Sequence, residues 1–150
     1  MCTYCEWEAK PLGFSNVMLL QSLFGYLAAM PTHETIDYVE FPATDLDATK
    51  RFFVEAFGWA FTDYGPDYTA FERAHAGLDG GFFRSEHRVN ANQGSALIVF
   101  YSAALEATQA KVEAAGGTIT TPTFSFPGGR RFHFACPSGN EYAVWSDTEV

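Results

Sequence analysis

The sequence predicts an α+β protein built from two tandem βαβββ modules. The first observation is an internal repeat, in which YVEFPATDLDATKRFFVEAFG (38–58) aligns without a gap with LIVFYSAALEATQAKVEAAGG (97–117). The identical pairs include Phe41/Phe100, Leu46/Leu105, Ala48/Ala107, Thr49/Thr108 and Gly58/Gly117. The second observation is that each copy shows a strand-like run, a helical pattern ending at glycine, and then strand-prone runs separated by turns. Such a repeat indicates one structural unit used twice.

The composition favours one globular domain. A chain of 150 residues with 47% hydrophobic content can bury a sizeable core, and this content argues against disorder. Lys and Arg total 9 against 18 Asp and Glu, so the net charge of −9 repels phosphate backbones and anionic membranes. We therefore expect neither nucleic acid nor a membrane as a partner. The fifteen phenylalanines include candidates for lining an apolar cavity, although core packing is the simpler explanation for any single one.

In the first copy, the strand-like run is followed by a helix with a clear start and end. Thr44 or Asp45 can cap its N-terminus, since both side chains can accept a hydrogen bond from a free backbone N–H. Leu46, Phe53 and Phe57 recur at helical spacing, and the following glycine tolerates the left-handed conformation that closes a helix. The stretch WAFTDYGPDYTAFERAHAGLDGGFF then predicts three strands.

The second copy follows the same order. Leu105, Val112 and Ala115 supply the apolar spacing of its helix, which again ends at glycine. TITTPTFSFPGGRRFHFACPSGNEYAVW then predicts three strands, the last two joined by a Pro-Ser-Gly-Asn turn. Each half therefore reads strand, helix and three strands.

Residues 14–30 form the only long apolar run, and its uninterrupted part is shorter than the roughly 20 residues that a membrane helix needs. Glu6 and Glu8 stand where an export signal carries basic residues. Three interpretations stay open: a packed amphipathic helix, a disordered leader, or an extension upstream of a natural start at Met30. The last two are favoured, because Pro31 breaks a helix just before the repeat begins.

These observations divide the chain into two parts. We assign residues 1–31 to an N-terminal leader and 32–150 to a single domain, with module 1 at about 35–88 and module 2 at about 95–147. The three cysteines are Cys2, Cys5 and Cys136, an odd number that does not resemble a disulfide framework and favours the cytoplasm.

The duplicated unit, the AFGW sequence after the first helix and the CPSGN hairpin all resemble the vicinal-oxygen-chelate superfamily. This superfamily includes glyoxalase I, extradiol dioxygenases and bleomycin- or fosfomycin-resistance proteins. The resemblance covers residues 35 to about 146. It implies that the two modules form a curved, mostly antiparallel sheet around a cup, in which side chains from the first and last strands of each module hold a divalent metal. It also implies a homodimer, since members often pair or exchange modules.

The resemblance allows each metal-ligand position to be checked. The first corresponds to Tyr38, where many members have His, and the repeat carries it to Leu97. The third lies within GGFFR, residues 80–84, and the fourth, usually Glu, is Ala143. A divalent ion needs at least three well-placed N or O donors. We therefore expect no metal cofactor at these positions.

A displaced metal site is an alternative. Glu141 lies two residues before Ala143 and so shares its face of the strand, and Glu40 shares the face of Tyr38. Together with His133, these carboxylates could form a rebuilt site for a divalent metal. Donors at displaced positions predict a metal site less strongly than donors at the usual ligand positions would.

Strand alternation predicts which side chains face the cup. The candidate ligand-binding residues are Tyr38, Glu40, Tyr101, Arg131, His133 and Glu141, whereas Val39, Phe41, Ile98 and Phe100 are expected to pack under the helices. His133 with Glu141 is the candidate pair for acid–base catalysis, since histidine titrates near neutral pH. Arg130 and Arg131 could bind an anionic ligand or remain solvated. The plain alternatives are core tyrosines, solvated glutamates and a hydrogen-bonded strand histidine.

Two functions are consistent with these residues. The first is a metal-free protein of this superfamily that binds a small apolar or aromatic molecule in the cup, as the resemblance to drug-binding members implies. The second is an enzyme, either a lyase or dioxygenase with a rebuilt metal site or a metal-free acid–base catalyst. Loss of the superfamily's ligand set favours the first.

Overall fold

A computed structural model describes residues 31–148. The chain divides into two units, Met1–Thr35 and Ile36–Val150, and every element given below belongs to the second. The interpretations of residues 1–30 as helix, leader or extension fall outside the described residues. Among residues 31–148, no helix has both the length and the apolar character that crossing a bilayer requires.

Each module has the predicted order of elements. Module 1 consists of β1 (Tyr38–Ala43), α1 (Leu46–Phe57), β2 (Phe61–Asp63), β3 (Tyr68–Phe71), the one-turn helix α2 (Arg73–Ala76) and β4 (Asp79–Arg84). Module 2 consists of β5 (Ile98–Tyr101), α3 (Leu105–Ala114), β6 (Thr118–Phe126), β7 (Gly129–Ala135) and β8 (Glu141–Ser146). A short 3₁₀ turn, Ala91–Gln93, lies between the modules. The βαβββ duplication is confirmed, and α2 is the one helix that the sequence pattern did not predict.

The two sheets have the same topology. The strand order is β1-β4-β3-β2 in module 1 and β5-β8-β7-β6 in module 2. In both sheets the first strand pairs in parallel with the last, and the other neighbours are antiparallel. The parallel pairing follows from the helix that crosses over between those strands. The first strand of each module is therefore an edge strand beside the last strand.

The helix ends differ between the copies. Asp45 caps α1, because its Oδ1 accepts a hydrogen bond from the backbone N–H of Ala48 at 2.9 Å, and this bond lowers the pKa of the Asp45 carboxyl. Gly58 closes α1 with a φ of 71°. After α3 the left-handed residue is Gly116, with a φ of 93°, and not the aligned Gly117. At Gly117 a Cβ would lie 2.7 Å from Val112, so packing requires that glycine.

The side of each sheet that faces the helices carries the core. Phe41, Phe82, Phe134 and Tyr142 are buried there, and the other side chains predicted to lie under the helices, Val39, Ile98 and Phe100, pack against them. Core packing thus accounts for most of the phenylalanines, in agreement with the simpler interpretation. The core provides the largest stabilising contribution, since burial of each aromatic side chain removes extensive apolar surface from water.

Helix α1 contacts both sheets. The ring of Phe53 lies 5.3 Å from Phe82 in module 1 and 5.6 Å from Tyr142 in module 2. Phe57 stacks on Phe100 of β5 at 4.8 Å. The modules are therefore joined through the helix-facing sides of their sheets, and the opposite sides remain outside this shared core.

The Pro-Ser-Gly-Asn turn also connects the modules. The Asn140 amide donates to the Pro42 carbonyl at 2.6 Å and its Oδ1 accepts from the Val89 N–H at 2.8 Å. The Ser138 and Thr49 hydroxyls lie 2.8 Å apart. Because Asn140 and Ser138 are buried, these bonds satisfy polar groups that would otherwise destabilise the fold. The Pro-Ser-Gly-Asn turn thus has a structural role.

Candidate functional site

Each sheet has a second side that points away from the helices. We call the side of the module 1 sheet that carries Tyr38 and Glu40 open face 1. The corresponding side of the module 2 sheet is open face 2, and it carries Tyr101, Arg131, His133 and Glu141. Strand parity therefore places all six candidate residues on the sides expected from the sequence, two on one sheet and four on the other.

On open face 1, three polar side chains bond to one another. The Tyr68 hydroxyl donates to Glu40 Oε1 at 2.9 Å and lies 2.7 Å from the Tyr38 hydroxyl, which then donates to Tyr68. Burial, followed by these two bonds, raises the pKa of Tyr68 far above its ordinary value, so its phenol stays protonated. The sequence reasoning missed Tyr68, whose position depends on how β3 pairs with β4.

Gly81 makes room for this cluster. It pairs with Glu40 on β1, and a Cβ at residue 81 would lie 2.2 Å from the Tyr68 hydroxyl. In module 2 the equivalent neighbour of β5 is Ala143, which pairs with Val99. The third metal-ligand position, which the sequence placed within residues 80–84, therefore corresponds to Gly81 by strand register.

On open face 2, an aromatic and cationic row crosses all four strands. Strand pairing places Tyr101 beside Trp145, Trp145 beside Arg131 and Arg131 beside Phe124. The guanidinium carbon of Arg131 lies 5.0 Å from the centre of the Phe124 ring and 5.5 Å from that of Phe126. These distances are those of cation–π contacts. The row therefore holds a positive charge within an apolar surface.

The outer end of this row is anchored by Tyr101. Its ring meets Trp145 edge-on at 5.3 Å, and its hydroxyl donates to Asp147 Oδ1 at 2.9 Å. That bond raises the pKa of the Tyr101 phenol. Tyr101 nevertheless remains 57% exposed, so its ring is available for contact with another molecule.

A histidine–glutamate pair lies beside the row. His133 Nδ1 is 3.3 Å from Glu141 Oε1, and Glu141 Oε2 accepts a hydrogen bond from the Ala91 N–H at 3.1 Å. The two side chains are only 13% and 9% exposed. Within residues 31–148 the buried Nε2 of His133 has no hydrogen-bond partner. Strand pairing places His133 directly opposite Ala143.

The structure brings the candidate residues together in two separate groups. Tyr38 and Glu40 bond within open face 1, and His133 and Glu141 bond within open face 2. Because the modules contact each other through their helix-facing sides, the open faces point away from each other. One chain thus supplies two different walls of a cup without placing them opposite each other.

The metal-ligand positions do not fit a divalent ion. They are occupied by Tyr38, Gly81, Leu97 and Ala143, of which one side chain carries a weak oxygen donor. Among residues 31–148, no three His, Cys, Asp or Glu side chains are close enough to hold a metal. Glu40, from the proposed displaced site, lies on a different sheet from His133 and Glu141.

An apolar pocket lies outside the open faces. It has a volume of about 450 Å³ and is bordered by the edge strands β1 and β5. Phe57, Trp59, Phe71 and Phe100 contribute to its wall. Some phenylalanines therefore do line a cavity, on the helix-facing side of the sheets.

Solved structures with similar folds come from several bacteria. A glyoxalase-related enzyme from Fulvimarina pelagi matches with a TM-score of 0.63 at 19% identity, covering 75% of this chain and 88% of that one. A glyoxalase/bleomycin resistance protein/dioxygenase family enzyme from Burkholderia phytofirmans PsJN matches with a TM-score of 0.62 at 14% identity, covering 75% and 98%. The genomically encoded fosfomycin resistance protein FosX from Listeria monocytogenes matches with a TM-score of 0.60 at 17% identity, covering 79% and 96%.

At these identities the structural matches show the fold alone. No curated protein matches the chain significantly. The sequence model of the Glyoxalase/Bleomycin resistance protein/Dioxygenase superfamily matches residues 35–144, which include both modules up to the middle of β8. The duplicated βαβββ topology and this match agree, and the chain belongs to the Glyoxalase/Bleomycin resistance protein/Dioxygenase superfamily.

Proposed function

We propose that this protein binds a small apolar or aromatic molecule on open face 2 without a metal ion. The observation that carries the proposal is the row of Tyr101, Trp145, Arg131 and Phe124. It lies beside the buried Nε2 of His133, which has no hydrogen-bond partner in the described part of the chain. Ligand sites typically combine apolar walls with a few polar groups that fix orientation. Open face 2 has both features.

The absence of a suitable donor set supports binding rather than metal-dependent chemistry. The shared mechanism of the superfamily depends on a metal held by four positions, and here these positions carry Tyr, Gly, Leu and Ala. A glycine, a leucine and an alanine cannot coordinate a cation through their side chains. The same cup framework remains available for holding a molecule.

A homodimer would complete the cup. Several large side chains on the open faces are exposed, including Tyr38 at 45%, Val99 at 41% and Phe124 at 37%. If open face 2 of one chain meets open face 1 of a second copy, the carboxylate of Glu40 lies across from a face that carries Arg131 and His133. This arrangement would shield the exposed apolar groups from water and give the cup two walls of opposite charge, with the ligand between them.

A second candidate function is acid–base catalysis by His133. Glu141 contacts Nδ1 and orients the ring, while Nε2 is free of partners among the described residues. This is the geometry in which an oriented imidazole can exchange a proton with a bound molecule. In this case, a ligand of open face 2 would be a substrate.

The proposal is tested by three measurements on the full chain purified without an affinity tag: metal content by mass spectrometry, titration with Mn, Fe, Ni and Zn, and mass by light scattering. We expect negligible metal, no metal binding and a dimer. Tightly held, near-stoichiometric metal would refute the metal-free proposal. Its loss in both Glu40→Gln and His133→Ala would then identify a site shared between two copies. A monomer without metal would refute the shared cup.

A further inference from the structure

We infer that the molecule bound by open face 2 carries a carboxylate, and that Arg131 is the residue that binds this group. The inference rests on the proposed function and specifies its ligand class, a small aromatic carboxylate. It is carried by the different environments of two adjacent arginines.

Arg130 and Arg131 are neighbours in sequence, but only one has a carboxylate partner. Arg130 pairs with Glu106, and its Nε donates to the Thr148 carbonyl at 3.4 Å. Arg131 has no ion pair among residues 31–148, and its Nε is buried without a hydrogen-bond partner. A buried donor without an acceptor is costly, because it has lost water and gained nothing in return. An acceptor supplied by a ligand would remove this cost.

The other half-buried arginine of the described region reinforces the contrast. The Nε of Arg73 is likewise buried without a hydrogen-bond partner among residues 31–148, but its Nη2 bonds to Asp37 Oδ1 at 2.7 Å and lies 3.4 Å from Asp79 Oδ2. The protein carries 18 acidic side chains and a net charge of −9, so carboxylates are abundant. Arg131 is nevertheless packed against phenyl rings instead of a carboxylate. This placement keeps its charge available on the face.

The stacking of Arg131 engages the faces of its guanidinium, and among residues 31–148 none of its N–H groups has a hydrogen-bond partner. Phe124 and Phe126 contact the guanidinium through their π systems. The N–H groups of arginine point outward in the guanidinium plane and match a carboxylate with two parallel bonds. Rings that hold the side chain in place also reduce the entropy lost on binding. Arg131 is thus preorganised for a planar anion.

The same row supplies a surface for the rest of the ligand. Trp145 lies beside Arg131 on the next strand, and its ring contacts both Tyr101 and Phe126. A ring attached to the carboxylate would lie against Trp145 while the carboxylate meets the guanidinium. An aromatic carboxylate satisfies both contacts, whereas a neutral aromatic molecule satisfies only the contact with Trp145.

The test compares two probes of the same shape, 2-naphthoate and 2-naphthamide, by titration calorimetry of the full chain. We expect naphthoate to bind at least about tenfold more tightly, since hydrogen bonds between charged groups exceed neutral ones by about this factor. Arg131→Lys keeps the charge but loses the planar fork, so it should weaken naphthoate binding about tenfold and leave naphthamide binding nearly unchanged. The control, Arg130→Lys, should preserve both affinities.

The outcomes separate this inference from the proposed function. Equal affinities for both probes in wild type would overturn the carboxylate inference and leave the binding function standing. Naphthoate binding that is unaffected by Arg131→Lys would also overturn the inference. Binding of neither probe would count against both. A further measurement uses the wild-type protein alone and follows the NMR signal of the Arg131 Nε–H. This signal should shift when naphthoate is added and should not shift when naphthamide is added. An unchanged signal during saturating binding would refute the contact.

Discussion

The two modules share one topology and carry different chemistry on their open faces. Tyr68 lies opposite Phe83 in module 1, and Arg131 lies opposite Trp145 at the equivalent position of module 2. The phenol of Tyr68 bonds to Tyr38 and Glu40, so open face 1 satisfies its own polar groups. Arg131 and His133 keep buried nitrogens without partners among residues 31–148. The repeat therefore preserves the framework, whereas the proposed ligand site lies in module 2.

The chemical difference between the two open faces comes from single residue positions in two sheets that have the same strand order. Glu40 of β1 corresponds to Val99 of β5 in the repeat, so module 2 has no carboxylate at the place where Glu40 accepts a bond in module 1. Arg131 therefore has no carboxylate at that place, whereas the phenol of Tyr68 is bonded to Glu40. A duplicated fold can thus diverge in function without a change in topology.

The largest expected effect tests whether the modules unfold together. Phe53→Ala removes a fully buried ring that contacts Phe82 in one module and Tyr142 in the other. We expect a loss of about 3–5 kcal/mol in the free energy of unfolding, with one cooperative transition in urea. The control is Val54→Ala, at a side chain that is 47% exposed, which should change stability by less than about 0.5 kcal/mol. Two separate transitions in wild type would show that the modules are independent.

The second prediction compares alanine substitutions on the two faces of the module 1 sheet. In Gly80→Ala the new Cβ would lie 2.3 Å from the Phe71 ring and 2.4 Å from the Val39 carbonyl oxygen, on the core side. We expect a loss of about 1–3 kcal/mol from overpacking, measured by urea unfolding. Gly81→Ala meets the hydroxyl end of Tyr68, which can move outward, so its effect should be smaller. Equal losses would contradict the assignment of one glycine to the core and the other to open face 1.

A third prediction compares the two glutamates. Glu141→Ala leaves the Ala91 N–H without its side-chain acceptor and removes the contact to His133 from a buried place. We expect a loss of about 1–2 kcal/mol in thermal or urea unfolding. Glu40→Ala removes an exposed acceptor and should cost less than about 0.5 kcal/mol. The comparison is wrong if Glu40 proves the more stabilising of the two in the monomeric state.

The smallest effect concerns the turn that joins module 2 to module 1. Burial raises the pKa of the Cys136 thiol. The folded state therefore holds this proton more tightly than the unfolded chain does, and the stabilisation is complete below the unfolded pKa of about 8.5. As the pH rises above that value toward the folded pKa, the free energy of unfolding should fall.

The matched variant for this prediction is Cys136→Ala. It should be less stable at pH 7, because a buried side chain is shortened, and its stability should change less between pH 8 and 9.5 than that of wild type. The measurement is urea unfolding across that pH range. Parallel pH profiles for the two proteins would show that Cys136 does not titrate as predicted.

Much of the site could be assigned from strand alternation. Tyr38, Glu40, Arg131 and His133 lie on the predicted side of their strands because alternation is a local property of extended backbone. Tyr68 also follows strand alternation, but its role was not predicted. Its contact with Glu40 depends on the register of β3 against β4 and of β4 against β1. Register is decided by long-range pairing.

The sequence by itself determined the duplication, the order of elements and the residues under the helices. These follow from short-range patterns and from a repeat that can be read directly. Tertiary structure alone decided that α1 contacts both sheets, that the open faces point away from each other, and that Arg130 pairs with Glu106 while Arg131 stacks on Phe124. The physical reason is that such contacts join residues far apart in the chain, and their choice depends on packing of the whole domain rather than on any local pattern.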